Sequence, residues 1–197
     1  MSSSTYSIKD AEASGRFAHG FELNTYNIST GARSSRAAVA PYYLRSGHEK
    51  AAAGGGGVLT SARDMSIWVS MLLNNGRHLD TNETIVPEEV VNHAATGVTV
   101  DSAIASYPEL VSNPLQAPTL YGSGQRIYSY RGHEIIEHGG SIMGFKSQVT
   151  RYPNDNLAIV VLSNDFNAGL LAEAVKRRIT DEIFGLSPID WDTRYSS

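Results

Sequence analysis

The chain has 197 residues, of which 41% are hydrophobic and 18% are charged, and this length is sufficient to bury a sizeable core. The formal net charge of −4 gives no electrostatic basis for binding nucleic acid or an anionic membrane. The absence of cysteine excludes disulfides, thiolate metal sites and a cysteine nucleophile. No apolar run is long enough to cross a bilayer, the first ten residues lack the apolar segment of a signal peptide, and the cellular compartment is left open.

The first 118 residues are predicted to be loop-rich with a few helices. Residues 1–50 show no sustained periodicity, and we expect one helical turn over residues 10–15 in a segment that otherwise crosses a surface and begins mid-fold. The four glycines at positions 54–57 are not followed by Gly-Lys-Ser/Thr, so they favour a close-packed loop rather than a phosphate loop. Residues 97–118 contain three prolines and are predicted to be irregular, as a lid or as a connector.

Two helices are predicted between these irregular segments. The first covers residues 61–75, because Ser61 can cap its start and Gly76 can end it. The second is shorter, covers residues 87–94 and has a proline in its first turn. We expect an apolar stripe on the first helix to belong to the core: Met65, Trp68, Val69, Leu72 and Leu73.

The six histidines show no spacing that is typical of a metal site. His93, on the second helix, has no second histidine or carboxylate at ligand spacing beside it. We therefore predict no metal, and nothing in the sequence indicates a cofactor.

From Leu120 onward the pattern changes to that of strands. Arg131 and Gly132 predict a hairpin turn, and the continuously apolar run over residues 157–162 predicts a strand at the centre of a sheet. The tail after Ser187 has no periodic pattern. The predicted elements are strands over residues 121–130, 133–138, 144–152 and 157–162 and a helix over about residues 167–184. We expect the apolar residues of that helix to cover part of one face of the sheet: Leu170, Leu171, Ala174, Val175, Ile179 and Ile183.

A histidine and two glycines follow the second of these predicted strands. Gly139 and Gly140 have no Cβ, so they allow the backbone of a ligand to approach the chain beside His138. The alternative interpretation is that His138 is a turn residue that hydrogen-bonds to backbone.

The order of these pieces resembles that of the β-lactamase-related serine hydrolases, a family of class C-type β-lactamases, penicillin-binding-protein-like DD-peptidases, and related esterases and acyltransferases. Three stretches carry the resemblance. Residues 10–21 are similar to the loop after the family's central motif, and residues 54–75 place Ser-Ala-Arg-Asp at the start of an amphipathic helix. Residues 121–164 contain His-Gly-Gly, Gly-Phe and the last apolar strand, in the family's order.

The resemblance implies an α+β fold of the β-lactamase/transpeptidase type, in which helices flank an antiparallel sheet. We expect this fold to be incomplete here and to form one partial domain over residues 1–197. Its expected parts are a loop-rich helical region over residues 1–118, the sheet with its C-terminal helix over residues 119–186, and a tail over residues 187–197.

The resemblance also implies roles for the His-Gly-Gly strand. The family's reaction uses a Ser-x-x-Lys nucleophile, a Tyr-x-Asn or Ser-x-Asn element, and a Lys-Thr-Gly strand or a variant of it. His138 takes the position of the strand lysine and would hydrogen-bond the catalytic hydroxyls or the substrate. Gly139 and Gly140 would line the substrate, and the backbone N–H of Ser141 would donate to the oxyanion. His138 and Ser141 are thus the candidate catalytic residues.

Neither the Ser-x-x-Lys element nor the Tyr-x-Asn or Ser-x-Asn element is found before the His-Gly-Gly strand. No Ser-x-x-Lys occurs in the 197 residues, and the one Tyr-x-Asn, Tyr152-Pro153-Asn154, falls after the strand in a predicted turn. We expect the C-terminal part of a serine hydrolase that is inactive and marginally stable alone. It would act on a small acyl substrate only when completed by a missing segment or by a partner chain that covers its open sheet. The alternative is a non-catalytic binding or scaffold protein that retains half of the fold.

Overall fold

A computed structural model describes residues 1–24, 36–40, 42–102, 118–191 and 193. Two compact units are defined within it. Unit 1 comprises residues 1–64, 139–148 and 161–197, and unit 2 comprises residues 65–138 and 149–160.

The described elements are four helices and eight strands, joined by turns and two short 3-10 segments. In this part of the chain, no helix is long and apolar enough to cross a membrane. The helices are α1 (Ile8–Ala13), α2 (Ala62–Leu73), α3 (Glu88–Ala94) and α4 (Gly169–Ile183). The strands are β1 (Gly20–Asn24), β2 (Arg36–Ala40), β3 (Thr99–Ser102), β4 (Thr119–Tyr121), β5 (Arg126–Tyr130), β6 (His133–Ile142), β7 (Phe145–Tyr152) and β8 (Leu157–Ser163).

Six of the strands form an antiparallel sheet in the order β3-β4-β5-β6-β7-β8, which confirms the predicted α+β class. Successive strands are neighbours, as in a meander. The β5–β6 hairpin turns at Arg131 and Gly132, which have φ of 52° and 95°, so the turn prediction is confirmed. The prediction that residues 157–162 form a central strand is wrong, because β8 is the last strand in the described order. A continuous apolar run reports burial of side chains, and it carries no information about the number of paired neighbours.

Two predicted strand boundaries also differ from the structure. The run predicted over residues 121–130 is divided into β4 and β5 by a turn in which the Gly122 N–H donates to the Gln125 carbonyl at 2.8 Å. The strand predicted to end at His138 continues to Ile142, so the two glycines lie inside β6. Within the segment predicted to be irregular, β3 is a strand, and residues 103–117 lie outside the described part of the chain.

The N-terminal region has more regular structure than its sequence indicates. Helix α1 begins at Ile8 because the Ser7 Oγ caps it by accepting from the Asp10 N–H at 3.1 Å. Strands β1 and β2 then pair as a two-stranded antiparallel sheet, with Gly20 opposite Ala40. Strands of five residues are too short to give a clear alternation in the sequence. The close-packed loop expected at residues 54–57 is only partly formed, since an added Cβ at Gly54 or Gly55 would meet nothing within 4 Å.

Helix α2 begins as predicted, because the Ser61 Oγ accepts from the Asp64 N–H at 3.2 Å. The predicted stripe is only partly core. Val69 is buried, but the Trp68 side chain is 39% exposed, and Met71, outside the predicted stripe, is buried instead. The apolar face of this helix is therefore rotated from the one that the spacing of the largest residues suggests.

Helix α4 exposes the apolar residues that were predicted to cover the sheet, with Leu171 66% and Ile183 56% exposed. Its buried face is polar instead. Lys176 is fully buried and its ammonium donates to the Glu173 Oε1 at 2.6 Å, so the buried charge is paired. The other buried residues of this helix are Ala172, Arg177, Thr180 and Asp181.

Candidate functional site

In unit 1, Gly139 and Gly140 lie so close to β7 side chains that a Cβ at either position would require the end of a neighbouring side chain to move. A Cβ at Gly139 would lie 2.7 Å from the Gln148 Oε1, and a Cβ at Gly140 would lie 2.3 Å from the Ser147 Oγ. Both distances are below normal contact. The glycines were predicted to leave room for a ligand, and here the polar ends of two β7 side chains take that room.

The next residue of β6, Ser141, is joined to a lysine that the sequence reasoning missed. The Lys146 Nζ donates to the Ser141 Oγ at 2.6 Å, and it also lies 4.4 Å from the centroid of the Phe166 ring. A register count would have found this pair, because a two-residue turn at residues 143–144 places Ser141 opposite Lys146. The Ser141 hydroxyl of β6 thus accepts a hydrogen bond from a cation of β7.

The turn between β6 and β7 is held by the start of β1. The Phe21 N–H donates to the Asn164 carbonyl at 2.8 Å and to the Gly144 carbonyl at 3.3 Å, and the Phe21 carbonyl accepts from the Phe166 N–H at 2.8 Å. The Asn164 side-chain amide donates to the His19 carbonyl at 3.0 Å. These bonds link the β6–β7 turn and the end of β8 to one short segment of chain, which fixes the position of Lys146 and Ser141.

In unit 2, His138 and Glu137 point to opposite faces of β6, as the alternation of a strand requires. His138 is exposed, and its Nε2 is 3.0 Å from the Tyr121 hydroxyl, so either group can donate according to the imidazole tautomer. Glu137 is 7% exposed and accepts from the Tyr128 hydroxyl and from the Thr150 Oγ1, both at 2.6 Å. The buried carboxylate anchors the strand while the imidazole and phenol face outward.

The Tyr-x-Asn sequence forms a turn, as predicted. Tyr152 is fully buried, a 3-10 segment over Pro153–Asp155 follows it, and the Asn154 amide donates to the Glu134 Oε2 at 2.9 Å. Its side chains are thus used in packing and in the turn. No group of three or more His, Cys, Asp or Glu residues that could hold a metal ion occurs among the described residues.

Comparison with known proteins shows which family the chain belongs to. The family model named Beta-lactamase matches residues 5–182. The chain belongs to the β-lactamase family. The resemblance drawn from the sequence is thereby confirmed, whereas the roles assigned to His138, Gly139, Gly140 and Ser141 stay predictions.

Two curated fungal proteins are similar to this β-lactamase-family chain over part of their length. One is the unguisins hydrolase ungD of Aspergillus violaceofuscus, 25% identical over 148 residues, which are 73% of this chain and 26% of that protein. The other is the unguisins hydrolase ungD' of Aspergillus campestris, 24% identical over 200 residues, which are 99% of this chain and 33% of that protein. The chain thus spans between a quarter and a third of the length of these relatives.

Proposed function

We propose that this chain is part of a serine acyl hydrolase or acyltransferase that acts on a lactam, peptide or ester, and that its strand β6 faces the substrate. The observation that carries the proposal is the exposed imidazole of His138, whose Nε2 lies 3.0 Å from the Tyr121 hydroxyl, at the position on β6 that the resemblance assigns to the family's strand lysine. Membership of the β-lactamase family and the hydrolase names of two relatives support the same reaction class.

In the proposed reaction a serine hydroxyl attacks the acyl carbonyl and transfers its proton to a neighbouring base. The carbonyl oxygen takes up the negative charge and accepts a hydrogen bond from the Ser141 N–H. The imidazole of His138 hydrogen-bonds the attacking hydroxyl or the substrate. The tetrahedral intermediate collapses by breaking the acyl C–N or C–O bond, and the amine or alcohol takes the proton from the base, which leaves an acyl-enzyme. Water, giving its proton to the same base, then attacks the acyl carbonyl, and the acid product leaves as the serine oxygen regains a proton.

The nucleophile of this proposal comes from outside residues 1–197, because no Ser-x-x-Lys occurs in them. Another segment of a longer protein or a partner chain that packs on the sheet would supply it. By itself, the 197-residue chain would therefore not turn over acyl substrates.

The test measures hydrolysis of nitrocefin and of p-nitrophenyl esters in two steps. The chain alone, its His138→Ala variant and its His133→Ala variant should all react at the background rate. Fusion to the preceding segment of a β-lactamase-family enzyme, with its Ser-x-x-Lys and Tyr-x-Asn, should then give turnover.

Within the fusion, His138→Ala should lower kcat by about 10²-fold or more. The matched control is His133→Ala on the same strand, which pairs with Asp155 at 3.0 Å and should leave kcat within about twofold. Turnover by the chain alone above its His138→Ala variant would refute the proposed inactivity. A folded fusion without turnover would favour the alternative, a non-catalytic binding protein.

A further inference from the structure

Unit 1 contains a cavity of about 500 Å³ to which no role has been assigned. Its volume is within the usual range for a small-molecule site. Helix α1, the segment before β1, the end of β2, residues 42–46 and the first residue of β7 all contribute to its lining.

The interior of this cavity is apolar and aromatic. Three apolar residues of its lining, Ile8, Ala40 and Leu44, are 2%, 3% and 7% exposed, so they belong to the core behind the cavity. Tyr42 stands between Phe17 and Phe145, with ring centroids 5.3 and 6.1 Å away and interplanar angles of 83° and 82°. Edge-to-face packing of three rings makes a stiff wall that suits an apolar or aromatic group.

The Tyr42 hydroxyl on this wall is partly buried. Burial, and then the neighbouring phenol of Tyr43, raise the pKa of Tyr42 above its ordinary value. Tyr42 therefore keeps its proton and can donate a hydrogen bond to a ligand.

Charged groups of both signs lie at the exposed edge of the cavity. Glu12 and Arg45 line it, and among the described residues neither side chain has a hydrogen-bond or ion-pair partner. A guanidinium suits a carboxylate, and a carboxylate suits an ammonium group.

We propose that this cavity binds a small zwitterion with an apolar side chain, namely an apolar amino acid. The side chain enters the aromatic interior, the ligand carboxylate pairs with Arg45, and the ligand ammonium pairs with Glu12. This binding is independent of acyl hydrolysis, since the ligand has no bond that must be cleaved.

The experiment titrates the 197-residue chain by calorimetry with three probes. L-Phenylalanine should bind saturably with a Kd of about 1 mM or below. N-Acetyl-L-phenylalanine amide keeps the ring but has neither charge, and glycine keeps both charges but has no side chain. Each of these two should bind at least about tenfold more weakly. Because the comparison uses the unaltered chain, it does not depend on the folding of any variant.

Two variants then test the charged groups. Arg45→Gln and Glu12→Gln should each weaken L-phenylalanine binding about five- to tenfold. The matched controls are Arg178→Gln and Glu182→Gln, which remove the same charges from an ion pair on α4 and should leave the Kd unchanged. Absence of saturable binding by L-phenylalanine, equal binding of the capped probe, or an unchanged Kd in Arg45→Gln would each overturn the proposal.

Discussion

Gly20 and Gly144 are in direct backbone contact. A Cβ built at Gly20 would lie 2.8 Å from the Gly144 Cα, and a Cβ built at Gly144 would lie 2.6 Å from the Gly20 Cα. Gly144 also has a φ of 78°, which is strained for any other residue. The contact brings β1 against the β6–β7 turn, so the strand predicted to face the substrate depends on a segment more than a hundred residues earlier in the chain.

The first prediction concerns this contact. Gly20→Ala should lower the free energy of unfolding by about 1–3 kcal/mol, because the new methyl group meets backbone that cannot rotate away. Gly54→Ala is the matched control, since its Cβ would meet nothing within 4 Å, and it should change stability by less than about 0.5 kcal/mol. Urea unfolding followed by circular dichroism measures both. Equal stability of the two variants would show that the glycine contact is not required.

The second prediction concerns Gly140 and the side chain beside it. Gly140→Ala should cost only about 1 kcal/mol of unfolding free energy, because the new Cβ, 2.3 Å from the Ser147 Oγ, requires that hydroxyl to rotate to another rotamer. The Ser147 Cβ would lie 3.6 Å away, which is an ordinary contact. Addition of Ser147→Ala should therefore restore most of the lost free energy of unfolding. The outcome against this explanation is a double variant whose stability equals the sum of the two single effects.

The third prediction concerns the buried carboxylate of Glu137. Glu137→Ala and Thr150→Val should each cost about 1–3 kcal/mol of unfolding free energy. The first leaves the Tyr128 and Thr150 hydroxyls each with one hydrogen bond fewer, and the second leaves the Glu137 carboxylate with one fewer. In a double-mutant cycle the two changes should couple by about 0.5–3 kcal/mol. Glu83→Ala, which removes an exposed carboxylate, is the control and should change stability by less than about 0.5 kcal/mol. Strict additivity would contradict a direct bond.

The fourth prediction concerns the acid stability of unit 1. Burial opposes ionisation of Asp64, but hydrogen bonds from the Ser4 hydroxyl at 2.8 Å and the Ser3 N–H at 2.7 Å outweigh it and hold the pKa of Asp64 below its ordinary value of 3.8. Because the pKa is lower in the folded state, the stabilisation is present above the ordinary value and is lost as pH falls through the folded value.

The check on Asp64 is the pH dependence of the free energy of unfolding. Between about pH 6 and about pH 3, Asp64→Asn should show a flatter loss of stability than the unaltered chain. Asp80→Asn removes an exposed aspartate and should leave the slope unchanged. A slope in Asp64→Asn identical to that of the unaltered chain would rule out this group as a source of acid sensitivity.

The parts of the fold that could be predicted are those governed by local chemistry. Ser61 marks the start of α2 through a cap, and Gly132 marks a hairpin through its permitted φ, so both follow from residue type. Contacts between distant segments could not be predicted. The Gly20–Gly144 contact has no local signal, and the orientation of α4 depends on whether Glu173 neutralises a buried lysine.

The residues of the candidate site also fall into those that could be predicted from local sequence and those that depend on contacts between strands. Its glycines and His138 were recognisable because the motif has a fixed spacing, whereas Lys146 required the register of the β6–β7 hairpin. Tyr121 and His138 are seventeen residues apart, and they meet only because the pairing of β4 with β5 and of β5 with β6 brings the end of β4 near the middle of β6. Strand register, more than residue type, therefore determines which groups surround the histidine.

The orientation of α4 reverses the usual relation between residue type and mutational tolerance. In a saturation library of this chain, Leu171 should accept polar and charged residues freely, because its side chain already faces water. Lys176 should accept almost none, because its side chain is fully buried and its replacement removes the nearer of the two cations that pair with Glu173. A scan that ranked positions by hydrophobicity would assign both in the wrong order. In a longer protein, loss of tolerance at Leu171 would reveal that another segment covers this helix.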